Sequence, residues 1–256
     1  MALRLLGTPI EARDYFPFLK WLILTGVVIF ALILSWNFGL VQLLVRSDRS
    51  YISLVIFGLY AVTSLHCLWL TLVISGEINC AHRVREQVMA DTDGYRVIGE
   101  RVLFNGGAEL APCKVTDHIR NLILKSSHQG KTHLDQSLLL RSLADQLKGP
   151  QQLGWFVADV LLKLGLLGTV IGFILMLSPI GGINTFDVET MKSALTSMSS
   201  GMAVALFTTL AGLIAGTLLK VQYYFLDGGT AYLFGLATEV TEVHVVSVLD
   251  RKSNGE

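Results

Sequence analysis

The chain has 256 residues, with 20 Lys+Arg balanced by 20 Asp+Glu, 52% hydrophobic residues and only 16% charged residues, well under the ~25% charged content of an average soluble domain. Zero net charge and the absence of a basic stripe leave nothing to hold a phosphate backbone, which argues against nucleic-acid binding. The three cysteines, Cys67, Cys80 and Cys113, have the spacing of neither a disulfide framework nor a metal site, and they read as small reduced hydrophobes.

The N-terminal segment, residues 1–20, carries Arg4, Arg13 and Lys20 ahead of the first uncharged run, Trp21 to Val45. That run has 25 residues and lacks a small-residue cleavage pattern after it, so it reads as a retained membrane helix rather than a removed leader. Three more uncharged runs follow, Ser50 to Gly76, Leu164 to Phe186 and Ser193 to Leu219, of 27, 23 and 27 residues. Each exceeds the ~20 apolar residues needed to cross a hydrocarbon layer of about 30 Å. The expected fold is therefore all-α, a polytopic membrane protein with four transmembrane helices and a helical cytoplasmic domain. Spans 1 and 2 fall within 21–76 and spans 3 and 4 within 156–227. Basic residues crowd the two ends and the 77–155 segment, while the short loops hold only Arg46, Arg49 and Lys192. Cytoplasmic flanks carry the excess of Lys and Arg, which places both termini and residues 77–155 in the cytoplasm.

In the second span, His66 sits at mid-run, where an ionisable group is a functional candidate by default. A neutral histidine also serves as interhelical hydrogen-bond glue, so His66 admits two readings, packing bond or polar relay. The 77–155 segment is polar and nearly balanced, with 10 basic and 9 acidic residues. The second membrane helix is expected to run on to Ala90, with Asp91 to Gly94 as its stop. A further helix is expected from Thr132, with Leu134, Leu138, Leu143 and Leu147 as its apolar stripe and Gly149–Pro150 as its end. Gly130, Lys131 and Thr132 spell the close of a phosphate loop, but Lys125 stands where its first glycine is required, and nucleotide binding is rejected. His128 and His133 do not share a helical face and read as solvated loop residues; no metal site is expected. Asp159 and Lys163 are spaced to pair at the foot of the third span.

The third and fourth spans carry the strongest signal. In the third, GLLGTVIG places Gly165, Gly168 and Gly172 on one face; in the fourth, GMAVALFTTLAGLIAG places Ala205, Thr208 or Thr209, Gly212 and Gly216 together. Small residues repeated on one face let membrane helices approach closely. Thr169 lies nine residues before Ser178 and Thr209 nine residues after Ser200, so each hydroxyl is ~14 Å deep at about 1.5 Å per residue. The threonines could form a polar layer at mid-membrane, or each could bond a carbonyl of its own helix. None of the four uncharged runs contains a carboxylate, so an acidic ion-carrying group must come from another chain. No nucleophile, base and orienting group can be assembled, and no enzyme is expected. The 228–256 tail, with Tyr232, Leu233, Leu236, Val240, Val243, Val246 and Leu249, reads as an amphipathic helix.

These residues resemble the MotA/TolQ/ExbB family, the A-type subunits of bacterial ion-driven motors. The likeness covers about residues 150–227, with GLLGTVIG and AVALFTTLAG as its specific parts. It implies a homopentamer in the bacterial inner membrane, surrounding two copies of a single-span B-type partner whose aspartate carries the ion. It also implies that the pore threonines of the family fall on Thr169 and Thr209, with Thr208 as an additional hydroxyl. The cargo implied is H+, with Na+ as the other candidate, and there is no bound cofactor. Two spans ahead of the cytoplasmic segment match the flagellar layout, whereas the fourth span lacks the proline of flagellar members.

Overall fold

The computed structural model describes residues 16–39, 42, 51–90, 95–98, 101–104, 109–129, 135–179 and 188–249. Arg4, Arg13, Arg46, Arg49, Arg251 and Lys252, the Asp91–Gly94 turn and the Gly130–His133 stretch lie outside the described residues. The elements in chain order are helices α1 (Phe16–Asn37) and α2 (Ile52–Ala90), strands β1 (Tyr95–Ile98) and β2 (Arg101–Phe104), helices α3 (Lys114–Gln129), α4 (Ser137–Leu177) and α5 (Val188–Glu239), and a π-helix, Val240–Val246. Among the described residues, four helices are long and apolar enough to cross a membrane. The chain is an all-α polytopic membrane protein with one short hairpin.

Two compact units share the three long helices, whose unit boundaries fall at 69/70, 150/151 and 225/226. The first contains residues 20–69 and 151–225. Its apolar side chains largely face outward: Leu166, Val170, Phe173, Leu206 and Leu213 are each more than half exposed. Exposure on that scale is compatible only with lipid or other subunits as surroundings. Helix α1 is the extreme case, with 6% of its apolar window buried, while the window of α5 is 39% buried, the largest share of the four.

The second unit contains residues 1–19, 70–150 and 226–256. Its core joins Val84 and Val88 of α2, Ile119 and Leu122 of α3, Leu143 and Leu147 of α4, and Leu233, Ala237 and Val240 near the end of the chain. The β1–β2 hairpin pairs antiparallel, Tyr95 with Phe104 and Ile98 with Arg101, and packs against α3. Sequence reasoning did not anticipate it. Nor did it anticipate α3, whose last turn holds His128.

One expected helix end is overturned. Gly149–Pro150 does not close a helix, because α4 continues through it to Leu177. A proline inside a helix costs about 3 kcal/mol through its lost N–H and its ring clash. The buried positions at 143, 147, 151, 154, 158, 161 and 165 nevertheless form one stripe in unbroken helical phase, so burial on both sides holds the proline in line. Helix α5 runs through Gly228 and Gly229 to Glu239. The start of α4 is set by Asp135, whose carboxylate accepts the Ser137 N–H at 2.9 Å and its hydroxyl at 3.0 Å. This is a side-chain cap of the usual kind. The expected stripe holds at Leu143 and Leu147 but not at Leu138, which is 74% exposed.

A buried polar chain ties three of these elements together. His118 Nε2 lies 3.4 Å from Gln136 Oε1, and Gln136 Nε2 donates to the Glu242 carboxylate on the π-helix. Burial pushes the His118 imidazole below its ordinary 6.5, against the opposing effect of Gln136. The unfolded chain therefore binds the extra proton first, so stability is full above pH 6.5 and falls as pH drops toward the lowered folded value. Glu77 acts with the opposite sign, since burial raises its carboxyl above 4.5 and a falling pH relieves it. Thermal unfolding of the full chain and of His118→Gln across about pH 7.5 to 5.5 separates the two. The variant is expected to lose less stability on acidification than the parent, and parallel curves would refute the assignment to His118.

Candidate functional site

The site is built on the antiparallel seam of α4 and α5, where glycine replaces side-chain contact with backbone contact. A Cβ added at Gly172 would stand 2.5 Å from the Ala205 nitrogen, and one at Gly212 would stand 2.7 Å from Gly165 Cα and 2.8 Å from Leu161 O. One at Gly216 would lie 3.0 Å from Ala158 O, while one at Gly168 would fall on the Thr208 side chain. All six small residues expected from the sequence, Gly165, Gly168, Gly172, Ala205, Gly212 and Gly216, meet across this seam. The ladder extends further at both ends than sequence reasoning reached. Gly201 packs on the backbone at Met176, and the Tyr223 ring lies over Gly154.

The three threonines occupy distinct places on this scaffold. Thr208 is fully buried in the seam opposite Gly168, and its hydroxyl donates to Val204 O at 2.8 Å within its own helix. Thr209 reaches across the seam, its hydroxyl shared between Ala205 O at 3.0 Å and Gly165 O at 3.1 Å. Thr169 donates to Leu166 O at 2.5 Å and lines an open groove of about 410 Å³ with Val170, Phe173, Met176, Met202 and Ala205. Gly165 lies one turn before Thr169 and Ala205 one turn before Thr209, so both hydroxyls belong to the same face of the helix pair. Every threonine bonds a carbonyl of its own helix, and Thr209 also bridges the two helices.

A threonine whose proton is held by a carbonyl keeps its oxygen lone pairs free to accept. At Thr169 those lone pairs border an otherwise apolar groove. A protonated carboxyl or a partly dehydrated cation placed there would find an acceptor and no competing side-chain charge. Among the described residues no group of three His, Cys, Asp or Glu side chains could hold a metal.

His66 meets α5 at Tyr223, the residue whose ring lies over Gly154. Its Nδ1 is 2.9 Å from the Tyr223 hydroxyl, and Gln222 donates to Ser64 Oγ at 3.1 Å and to the Tyr60 hydroxyl at 3.4 Å. Tyr223 and Gln222 are almost fully buried, so α2 and α5 are joined by polar bonds in an apolar setting. The expected Asp159–Lys163 pairing is superseded by a closer one: Asp159 Oδ1 sits 2.7 Å from Lys220 Nζ on α5. Lys220 comes from a helix 61 positions along the chain, which local spacing could not have indicated.

The segment carrying this seam is also the segment that matches a known family, over residues 126–232. Those residues match the MotA/TolQ/ExbB proton channel family. The MotA/TolQ/ExbB region takes in all of the α4–α5 seam, Thr169, Thr208 and Thr209, and begins in α3. No curated protein and no solved structure matches the chain.

Proposed function

We propose that this chain is the A-type subunit of a proton-driven membrane motor. In this reading it forms a homopentamer in the bacterial inner membrane with both termini in the cytoplasm. The pentamer encloses two copies of a single-span B-type partner, and ion flow past the partner's aspartate turns the pentamer and delivers mechanical work across the envelope. The chain is not an enzyme and holds no cofactor; H+ is cargo.

The observation that carries this reading is the face shared by Thr169 and Thr209. It offers fixed acceptor oxygens, that of Thr169 beside an apolar groove, on a chain whose four uncharged runs contain no carboxylate. An ionised aspartate facing that wall is costly to desolvate, and protonation removes the cost. Loading and releasing the proton would therefore change which wall the partner helix prefers, and that alternation is the physical basis of a step. The flagellar arrangement of two spans before the cytoplasmic segment sits beside a fourth span without a proline, and the driven target is left open.

Reconstitution tests the proposal. Liposomes containing this chain alone are expected to show no proton flux, and liposomes containing it with its co-purified single-span partner are expected to conduct. Native mass spectrometry of the gently extracted complex should give five copies of the 28.0 kDa chain and two of the partner. Flux from this chain alone would replace the proposal with a self-contained transporter. A stable complex without flux in any combination would make it a scaffold.

A further inference from the structure

Away from the membrane seam, two elements distant in sequence bring two of the three cysteines together. Cys80 lies on α2 and Cys113 immediately precedes α3, and each is only 8% exposed. Their neighbourhood is pinned twice: Glu77 Oε2, one turn before Cys80, accepts the Lys114 N–H at 3.0 Å, and Cys80 Sγ lies 3.9 Å from Pro112 O. These bonds span 37 and 32 positions of chain, so the approach is made by the fold rather than by local sequence. Cys113 Sγ is also 3.5 Å from Thr116 Oγ1 at the start of α3. Cys67, the third cysteine, is buried in the other unit.

We propose that Cys80 and Cys113 form a reversible dithiol–disulfide site that is closed by hydroperoxides. The proposal is independent of the motor reading. Cys80 Sγ reaches the carbonyl of the residue preceding Cys113, and at this approach the Cys80 thiol lowers the Cys113 sulfur while Cys113, together with burial, pushes the Cys80 thiol up. Cys113 is therefore the nucleophile and Cys80 the resolving thiol, an assignment consistent with a helix N-terminus stabilising a thiolate.

The steps balance as follows. The Cys113 thiolate attacks one oxygen of hydrogen peroxide; an S–O bond forms, the O–O bond breaks, and the departing hydroxide leaves as water with the proton Cys113 gave up. The Cys80 sulfur then attacks the Cys113 sulfenic acid; the S–S bond forms, the S–O bond breaks, and hydroxide leaves as water with the Cys80 proton. Two thiols are oxidised by two electrons, one peroxide is reduced, and two waters are released. At 8% exposure only a small oxidant can reach either thiol, and the nearness of the two segments favours resolution over further oxidation of Cys113. The disulfide would clamp α2 to the start of α3 within one compact unit.

The test uses the full-length chain with Cys67→Ala, in its own membranes. After hydrogen peroxide treatment, alkylation and tryptic digestion, peptide 50–83 is expected joined to peptide 102–114, at a mass two hydrogens below their sum. Dithiothreitol should separate them. Cys80→Ser is expected to redirect oxidation to the sulfinic and sulfonic acids of Cys113. Should that variant fail to fold, phenylarsine oxide on the untreated chain is the second measurement, because it bridges two neighbouring thiols and should protect both from alkylation. Two alkylated cysteines after peroxide, irreversible oxidation of Cys113 without the cross-link, or no protection by the arsenical would each overturn the proposal.

Discussion

Gly212→Ala is expected to abolish recovery of the folded protein, whereas Gly165→Ala, on the facing helix, is expected to be nearly silent. The two glycines touch each other, yet an added methyl meets different surroundings from each side. At Gly212 it would stand 2.7 Å from Gly165 Cα and 2.8 Å from Leu161 O, all backbone, which no rotamer change relieves. At Gly165 the nearest atoms lie at 3.2 to 3.4 Å, a tightness that a few tenths of an ångström of helix shift absorbs. Overpacking typically costs about 1–3 kcal/mol, and here the misfit is imposed on a seam whose stability depends on close backbone approach. The helix-propensity gain of alanine over glycine, roughly 1 kcal/mol, acts in both variants and offsets only the milder clash. Gly235→Ala, with nothing within 4 Å of its added carbon, supplies the control and should be neutral or stabilising. Size-exclusion profiles and thermal unfolding of the three detergent-extracted variants decide the matter; equal behaviour of Gly212→Ala and Gly165→Ala would refute the seam geometry.

The membrane half of this architecture was legible because lipid imposes few solutions. An uncharged run long enough to cross must be helical, and glycines repeated at helical spacing must face another helix. That logic located Gly165, Gly168, Gly172, Gly212 and Gly216 and put Thr169 and Thr209 at one depth. It could not rank the threonines, because whether Thr208 points into the seam or out of it depends on a rotation of α5 that spacing leaves free. The unit of residues 70–150 and 226–256 was harder to read. Pro150 looked like a stop because its local penalty is visible in sequence, while the burial on both sides that offsets it is tertiary. The hairpin did leave a signal, in the β-branched and aromatic residues of Tyr95 to Ile98 and Arg101 to Phe104 on either side of Gly99–Glu100 in the sequence. Each run is only four residues long, within the range where periodicity separates strand from helix poorly. The Cys80–Cys113 approach, the Asp159–Lys220 pair and the His66–Tyr223 bond left no signal, since each joins segments whose register only packing determines.

Thr169→Val is expected to reduce proton flux through the reconstituted complex roughly ten- to hundred-fold without reducing its assembly. The magnitude follows from the group removed. A hydrogen bond to a charged or ion-like group is worth about 1.5–3 kcal/mol, and each 1.36 kcal/mol added to a barrier is about tenfold in rate. Assembly should survive because the Thr169 hydroxyl bonds only its own helix, at Leu166 O, and valine reproduces the side-chain shape. Thr209→Val is expected to combine a similar loss of flux with a small loss of stability, since its hydroxyl also reaches Gly165 O on α4. Interhelical bonds of this kind average about 0.6 kcal/mol in a membrane, too little to dissolve the seam. Thr208→Val should leave flux almost unchanged, because that oxygen is enclosed opposite Gly168 and meets no groove. Serine at position 169 restores an acceptor at the same place and should recover most of the flux. Full flux in Thr169→Val, or a loss that merely follows disassembly on native gels, would assign Thr169 to packing and remove it from the ion path.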